Sequence, residues 1–239
     1  MSHPLLAQLE RGDAAARRDA CAAIARDPSA VLLIEPLRRA LDDPDAGVRR
    51  AAGDSLVLLG RRAGEVDGLL LDALRGDRPA SRFEAARALA ELAPPSPKLV
   101  PALIEALGSE RRDTAWEAAR ILVDAGRLHA EVTPIVVGLV RAGPSPGARA
   151  MAASCLRELA PEHPEAAAAL LEASRDRDVS LRRAAFTALP AVAPFAAPGA
   201  VAARCREAAA GDADGSVRTL AARALELIEG DAPDARDAR

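Results

Sequence analysis

The sequence predicts an all-α fold, an α-solenoid in which about seven helical hairpins stack side by side. Three observations support this prediction: one phrase recurs along the chain, its period is nearly constant, and two of its positions keep their character in every copy. The phrase reads Asp, three residues, Arg, two residues, Ala, three residues, Leu. It is plainest in DAGVRRAAGDSL from Asp45 and in DGSVRTLAARAL from Asp214. Self-similarity at a period of roughly 20 to 50 residues is the signature of a repeat architecture.

The arginine of the phrase marks each copy, and consecutive markers lie 32 to 36 residues apart. The markers are Arg17, Arg49, Arg82, Ala115, Arg149, Arg182 and Arg218. Three residues after each marker stand Ala20, Ala52, Ala85, Ala118, Ala152, Ala185 and Ala221. Seven residues after it stand Ile24, Leu56, Leu89, Leu122, Leu156, Leu189 and Leu225. An alanine-rich composition alone would not keep two such columns in register through seven copies, so we expect both to be buried.

Each copy contains two apolar stretches separated by a short break, as in VLLIEPLRRAL followed by VRRAAGDSLVLLG. In the second stretch the apolar positions fall on one helical face, and the invariant alanine indicates that another helix comes close there. The first stretch has leucines eight and twelve residues before the marker and a proline near its start, where proline is tolerated. These prolines are Pro4, Pro36, Pro101 and Pro134.

The aspartate of the phrase stands where the second helix should begin. Its carboxylate can accept hydrogen bonds from the first free N–H groups, which stabilises a helix by roughly 1 kcal/mol. The predicted caps are Asp13, Asp45, Asp178 and Asp214. The marker arginine lies at the edge of the buried face. Two interpretations of it stay open: a structural ladder with acidic groups of its own or a neighbouring copy, and a column that binds a ligand.

These residues resemble HEAT repeats, especially the short bacterial HEAT-like kind: paired helices, a proline in the first helix, and D-x-x-x-[VL]-R-x-x-A-x-x-x-L at the second. The resemblance covers about residues 4 to 228 and implies a right-handed superhelix of armadillo type. We expect a single array over 1–229, with a disordered tail over 230–239. The copies span about 1–28, 29–62, 63–95, 96–129, 130–162, 163–196 and 197–229. Ala115 in the arginine slot and Ser145 in the aspartate slot depart from the pattern, so the ladder is expected to be interrupted in mid-array.

The composition narrows the class of function. A formal charge of −3 and a pI near 5.7 argue against general binding to nucleic acid or to a membrane surface. Three widely separated cysteines, Cys21, Cys155 and Cys205, are expected to be buried in a reducing compartment. The sequence begins without a signal-peptide pattern and contains no apolar run long enough to span a membrane, so we expect a cytoplasmic protein.

The search for chemistry finds no pattern typical of a catalytic, metal or phosphate site. The histidines, His3, His129 and His163, are scattered, and no histidine and cysteine stand at metal-ligand spacing. We therefore expect no catalytic residue, no metal and no cofactor, and we interpret the chain as a non-enzymatic scaffold.

The predicted binding residues are those that break the pattern of the second helices. On the outward face, Phe83 and Trp116 hold equivalent positions in adjacent copies, with Arg87 and Arg120 one turn later and Glu117 beside Trp116. Three further outward residues extend the set: Arg50, Asp54 and Arg183. In HEAT-like arrays the second helices line the concave surface, so the resemblance implies a groove there. Aromatic and arginine side chains favour a protein or peptide partner that is acidic and partly apolar. The alternative is that Phe83 and Trp116 pack sideways between copies.

The resemblance also implies two other functions. HEAT-like arrays of similar length include DNA glycosylases for alkylated purines, in which Trp116, Glu117 and Arg120 would be the relevant residues. They also include bilin lyases and related chaperones, for which Cys21 and Cys155 are candidates. The acidic pI opposes the first function, and the lack of a neighbouring histidine opposes the second.

Overall fold

Helices occur in pairs along the chain of this computed structural model. It describes residues 4–27, 30–63, 66–159, 163–197 and 199–230, and within them the secondary structure is entirely helical, with no strand. The first seven α-helices are α1 (Pro4–Arg11), α2 (Ala14–Arg26), α3 (Ile34–Ala40), α4 (Ala46–Ala63), α5 (Asp67–Ala73), α6 (Pro79–Leu92) and α7 (Val100–Leu107). The second seven are α8 (Arg112–Leu128), α9 (Val132–Ala142), α10 (Pro146–Leu159), α11 (Pro164–Ala173), α12 (Val179–Val192), α13 (Ala200–Gly211) and α14 (Gly215–Gly230). Short 3-10 helices cover Ala30–Leu33, Pro97–Leu99 and Ala193–Phe195.

The contacts divide the chain into two compact units, Met1–Ala106 and Leu107–Arg239. In the first unit the second helices α2, α4 and α6 pack in sequence, and each also packs against the first helix of its own copy. In the second unit α8, α10, α12 and α14 pack in sequence in the same way, with α9, α11 and α13 beside them. Each unit is a helical solenoid, as predicted. The single array over 1–229 stays a prediction. Of the predicted tail over 230–239, Gly230 ends α14, and residues 231–239 lie outside the described residues.

Two columns of the repeat form the core of both units: the alanine three residues after the marker, and the leucine or isoleucine seven residues after it. All seven alanines three residues after the marker are fully buried. In the column seven residues after the marker, five side chains are fully buried and two, Leu89 and Leu225, are partly buried. The alanine column lets neighbouring helices approach, and the larger column fills the space between them. The burial confirms the helical faces inferred from the spacing.

Glycines mark a second close approach between consecutive second helices. A Cβ atom placed on Gly126 of α8 would lie 2.5 Å from Leu159 Cδ2 of α10. A Cβ atom placed on Gly60 of α4 would lie 3.0 Å from Leu92 Cδ2 of α6. The two glycines hold equivalent positions in their copies, so the absence of a side chain at this position makes room for a leucine of the next copy.

The aspartate caps are confirmed in all four predicted copies. The side chain of each accepts a hydrogen bond from a backbone N–H in the first turn of the second helix, at 2.8 to 3.0 Å. In the copy that lacks the aspartate, Ser145 Oγ accepts the equivalent bond from the Ala148 N–H at 3.1 Å. Ser145 therefore keeps the cap, although it departs from the sequence pattern.

The marker arginines form a structural ladder between neighbouring copies. Arg17 donates two hydrogen bonds to Asp43 of the next copy, Arg182 donates two to Asp212, and Arg149 donates one to Asp176. The acceptor is the first aspartate of a D-x-D loop, the segments 43–45, 176–178 and 212–214, whose second aspartate is the helix cap. We call this arginine–aspartate pair the clasp. The ladder was one of two interpretations that the sequence left open, and the first aspartate was not identified as its partner.

Each D-x-D loop is also held from its own copy. Arg49, Arg182 and Arg218 donate to the carbonyl oxygen of the first aspartate of their own loop, at 2.7 to 3.0 Å. The ladder is interrupted where the sequence predicts it: the copy marked by Ala115 is followed by one with Gly143 in place of the first aspartate. The arginine and its acceptor are thus lost together at this junction. The clasp is also missing after Arg49, where Gly76 holds the aspartate position, and after Arg82, which pairs with Glu105 instead.

The clasp holds the aspartate pKa values below their ordinary range. Burial alone would raise the pKa of Asp43, but hydrogen bonds from Arg17 and the Asp45 N–H lower it. The Asp178 N–H and Arg149 lower the pKa of Asp176, and Arg182 lowers the pKa of Asp212. These carboxylates therefore stay ionised in the folded protein to lower pH than free aspartate.

Candidate binding site

Two of the predicted binding residues, Phe83 and Arg87, are not exposed. Phe83 is 3% exposed and Arg87 is fully buried, so the prediction of an outward pair of aromatics with adjacent arginines is wrong at these two residues. The reason is that α6 is buried around most of its circumference, from Ser81 to Ala88, whereas α4 keeps Arg50 and Asp54 exposed. A helical position that faces solvent in one copy is covered in another.

Arg87 is the buried centre of an ion cluster between α4 and α6. Its guanidinium lies 2.8 Å from Glu84 Oε2, 2.7 Å from Asp54 Oδ1 and 2.5 Å from Glu91 Oε1. Burial alone would lower the pKa of Arg87, but Glu84 and Asp54 raise it above its ordinary value. A Cβ atom on Gly53 would lie 2.7 Å from Arg87 Nη2, so Gly53 leaves the space that the guanidinium occupies.

The other two predicted residues of the first unit belong to the same cluster. Arg50 Nε lies 3.6 Å from Asp54 Oδ1, and the backbone carbonyl of Arg50 accepts a hydrogen bond from Arg87 at 3.4 Å. Arg50, Asp54 and Arg87 therefore hold α4 and α6 together. This arrangement gives the cluster a structural role within the first unit.

The second unit keeps the predicted aromatic on its surface. Trp116 lies in the first half of α8 and is 55% exposed, and Arg120 follows one turn later with its side chain 63% exposed. Glu117 is half-buried beside them. The alternative in which the aromatics are packed away therefore applies to Phe83 and does not apply to Trp116.

Trp116 and Arg120 line a pocket formed by three consecutive second helices, α8, α10 and α12. The pocket has a volume of about 190 Å³. Its apolar lining comes from Trp116, Ala119, Val123, Cys155, Ala184 and Ala188. The apolar side chains that α10 and α12 contribute to this lining, Cys155, Ala184 and Ala188, are small.

Charged side chains of alternating sign surround the pocket. Arg127 lies 3.0 Å from Glu158 Oε2 and 3.7 Å from Asp124 Oδ1. Arg120 pairs with Asp124 at 3.6 Å, and Arg157 pairs with Glu158 at 3.7 Å. Three arginines thus accompany two carboxylates, and all five side chains are at least two-fifths exposed.

Arg183 lies outside the pocket lining and pairs with an aspartate of the next copy. It donates to both carboxylate oxygens of Asp214, at 2.8 and 3.0 Å, and Asp214 is the cap of α14. This bond lowers the pKa of Asp214 and ties α12 to the start of α14. Arg183, which was predicted as a binding residue, therefore connects neighbouring copies beside the Arg182–Asp212 clasp.

Sequence reasoning missed most of the pocket lining. Val123 and Arg157 stand eight residues after their markers, a position that the helical wheel already places outward. Asp124, Arg127 and Glu158 lie further along the helices, where side chains of α8 and α10 meet only once the helices are packed. The outward position eight residues after the marker was the signal that could have found Arg157.

Cys155 forms part of the pocket lining but is 2% exposed, and its Sγ lies 3.8 Å from the Ala119 carbonyl oxygen. Burial raises the pKa of Cys155 to about 12. Cys21 and Cys205 are also buried, and burial raises their pKa values to about 12 and about 11. The thiolate, which is the reactive form, is disfavoured at all three positions.

The described residues contain neither a membrane-spanning helix nor a cluster of metal ligands. No helix there is long and apolar enough to span a membrane. No group of three or more His, Cys, Asp or Glu side chains there could hold a metal ion.

Comparisons with known proteins agree on the architecture. The family model for HEAT repeats matches residues 66–157 and 100–190, which together exceed half of the chain. An archaeal HEAT-like repeats protein from Thermococcus onnurineus NA1 is 16% identical and superposes with a TM-score of 0.55, covering 95% of this chain and 96% of its own. A chain from a structure of Kap95p with RanGDP is 13% identical with a TM-score of 0.65, over 94% of this chain and 35% of the other. Among curated proteins, no sequence matches. At these identities the superpositions show the fold alone.

Proposed function

We propose that this chain, which belongs to the HEAT-repeat family, is a non-enzymatic scaffold that binds a partner protein or peptide. Function in a repeat protein depends on the surface that the stacked helices present, because the repeat itself is a structural unit. Kap95p, which shares this fold, binds RanGDP, so the architecture is compatible with binding of a protein.

The observation that carries the proposal is the exposed Trp116 at the edge of an apolar pocket. Tryptophan is the largest apolar side chain, and exposing more than half of it to water is unfavourable unless a partner covers it. Tryptophan and arginine are also the side chains most enriched among residues that dominate binding energy at interfaces. Trp116 and Arg120 therefore mark the α8–α10–α12 surface as the binding surface.

The charges at the pocket favour an acidic, partly apolar partner. The rim of the pocket consists of the five charged side chains described above, three arginines and two carboxylates, and the pocket interior is apolar. A partner that places an apolar side chain in the pocket and carboxylates at the rim would match both features. We further propose a cytoplasmic location, which the three unpaired cysteines favour.

The two enzymatic alternatives have less support from the site. Thiol chemistry of the kind a bilin lyase requires is opposed by the burial of Cys21 and Cys155 and by the raised pKa of both thiols. Binding to DNA is opposed by Asp124 and Glu158, whose carboxylates lie at the same rim as the arginines and would repel phosphates.

Affinity capture from a native lysate tests the proposal. The full chain is compared with Trp116→Ala, and the matched control is Ile135→Ala, which truncates another exposed apolar side chain, on α9 outside the pocket. We expect the wild type and Ile135→Ala to retain the same partner and Trp116→Ala to lose about 90% or more of it.

Equal recovery by Trp116→Ala and the wild type would refute the assignment of the binding surface. Release of bases from alkylated DNA, or an absorbance shift with a bilin, would refute the non-enzymatic assignment itself.

A further inference from the structure

We propose that the α8–α10–α12 pocket binds one apolar side chain of a short acidic peptide, and that Arg120 and Arg157 bind a carboxylate next to that side chain. The inference rests on the proposed function and adds the mode of recognition.

The size of the pocket limits what it can hold. Its volume of about 190 Å³ is below the roughly 300 to 1,000 Å³ of pockets that enclose drug-sized ligands. The interior is formed by Ala119, Val123, Ala184 and Ala188, with Trp116 at the edge. A single aliphatic or aromatic side chain would contact these groups and lie against the indole ring.

The hydrogen bonds at the rim show which arginines can bind a carboxylate. Arg127 is engaged, because it donates to Glu158 at 3.0 Å and also lies near Asp124. The side chains of Arg120 and Arg157 have only ion pairs at 3.6 and 3.7 Å and make no hydrogen bond within the described residues. A guanidinium has five N–H donors in a planar arrangement that matches a carboxylate, so both side chains have donors to spare.

The positions of these two arginines point to one peptide rather than two separate ligands. Arg120 is on α8 and Arg157 is on α10, and both line the same pocket. A peptide whose apolar side chain enters the pocket would bring its neighbouring carboxylates to the surrounding guanidiniums. The two side chains are about half exposed or more, so binding a carboxylate requires little desolvation.

A nucleic acid fits the same rim less well. Asp124 and Glu158 stand between the arginines, and a chain of phosphates would meet these carboxylates as well as the guanidiniums. Binding of nucleic acid is built on several lysine or arginine contacts along a backbone. Alternating charge around one apolar pocket instead matches a peptide that has one anchor and a local negative charge.

Trp116 allows the pocket to be observed directly, because it is the only tryptophan in the chain. Random heptapeptides displayed on phage are selected against the full chain, and the enriched peptides are synthesised and titrated while Trp116 emission is recorded. We expect the enriched sequences to combine an apolar residue with an adjacent aspartate or glutamate and to change the emission on binding.

Variants then separate the pocket from its surroundings. Thr187→Phe is expected to abolish binding, because Thr187 is exposed at the pocket and a phenyl ring there would fill it. Arg120→Glu and Arg157→Glu should each weaken binding about tenfold or more, since each replaces an attraction by a repulsion. The matched control is Arg223→Glu, an exposed arginine of α14 outside the pocket, which should change affinity by about twofold or less. Circular dichroism confirms that each variant is folded.

Three outcomes would overturn the inference: enrichment of basic or uncharged peptides, unchanged affinity in Thr187→Phe, or equal losses in Arg223→Glu and Arg120→Glu. Stronger binding of single-stranded DNA than of any peptide, with the same dependence on Arg120, would also overturn it. A lysate partner that depends on Trp116 but not on Arg157 would overturn this mode of recognition and leave the scaffold function standing.

Discussion

Arg87 shows how much a single side chain depends on its packing. In the sequence it is one of many arginines in alanine-rich helices, yet in the structure it is buried among three carboxylates. Glu84 is itself 9% exposed, so removing the guanidinium would leave a nearly buried carboxylate without its cation. Breaking a buried ion pair costs more than the pair contributes, since the remaining charge keeps its desolvation penalty.

Replacing Arg87 by methionine should therefore lower the free energy of unfolding by about 3 to 5 kcal/mol. Urea denaturation monitored by circular dichroism measures the loss. Adding Glu84→Gln to Arg87→Met should recover part of it, because the amide no longer carries a charge. As a control, Arg120→Met changes an exposed arginine and should cost about 1 kcal/mol or less. A loss of that small size in Arg87→Met would contradict the structural role of the cluster.

The burial of Phe83 and Arg87 could not be predicted from the sequence. The helical wheel assigns one outward face to every second helix, and this was correct for Trp116 and Arg120. It failed for α6 because burial on that face depends on elements that pack there, and the spacing within one helix carries no information about them. A single sequence also gave no sign that Gly53 leaves room for a guanidinium.

At the level of helices, contact between consecutive copies is set by small residues and by the clasp. The alanine column and the glycines at positions 60 and 126 let second helices approach each other. The alanine column was predictable, because its alanines recur at a regular spacing. The clasp was predictable only in part. Its arginines stand in an obvious column, but the first aspartate of the D-x-D loop is recognisable only when the loop of the next copy is placed beside it.

Two glycine variants test the close approach of α8 and α10. Gly126→Ala should fail to stabilise the protein, because its Cβ would lie 2.5 Å from Leu159 Cδ2 and would displace that side chain. Gly138→Ala, in the middle of α9 with nothing within 4 Å of the added Cβ, should stabilise it by about 0.5 to 1 kcal/mol through helix propensity. Thermal unfolding compares the two variants, and a similar gain in both would mean that α8 and α10 do not pack as described.

A clasp can be built at the junction between the copies marked by Ala115 and Arg149. The double variant Ala115→Arg with Gly143→Asp restores the arginine and the first aspartate, and we expect it to be more stable than the sum of the two single effects by about 0.5 to 1 kcal/mol. Gly143 has φ −67° and ψ 158°, close to the −65° and 140° of Asp212, but an added Cβ would lie 2.7 Å from the Leu139 carbonyl oxygen. Gly143→Asp alone should therefore destabilise the protein. A double-mutant cycle from urea denaturation measures the coupling. A coupling energy near zero would show that the pair does not form there.

At the level of the whole molecule, the clasps make stability depend on acid. The pKa values of Asp43, Asp176 and Asp212 are lowered by folding, so their contribution is complete above the pKa of unfolded aspartate, about 3.9. This contribution is lost as the pH falls below that value and through the lower pKa of the folded state.

The overall architecture was predictable because all seven copies repeat the same buried alanine position and the same leucine or isoleucine position. A wrong prediction of exposure at one residue, such as Phe83, does not change the predicted fold.

Because the clasps are weakened in acid, unfolding by urea should show constant midpoints between about pH 7 and 5 and falling midpoints below about pH 4. Asp212→Asn keeps a side-chain oxygen that can accept from the Asp214 N–H but removes the charge that Arg182 binds. This variant should be less stable at neutral pH and lose less on acidification than the wild type. If both proteins lost the same free energy between pH 5 and pH 3, the Arg182–Asp212 clasp would have no part in the acid response.

The clasp also gives the chain a direction. Arg17, Arg149 and Arg182 each donate to the first aspartate of the following copy, and each D-x-D loop accepts from the preceding copy, so the two sides of a clasp are different. A tandem duplication that preserves the register would create a complete new joint, because the duplicated segment brings both halves with it. Repeat proteins of this kind can thus lengthen by gene duplication without first having to evolve new contacts between the added copy and its neighbours.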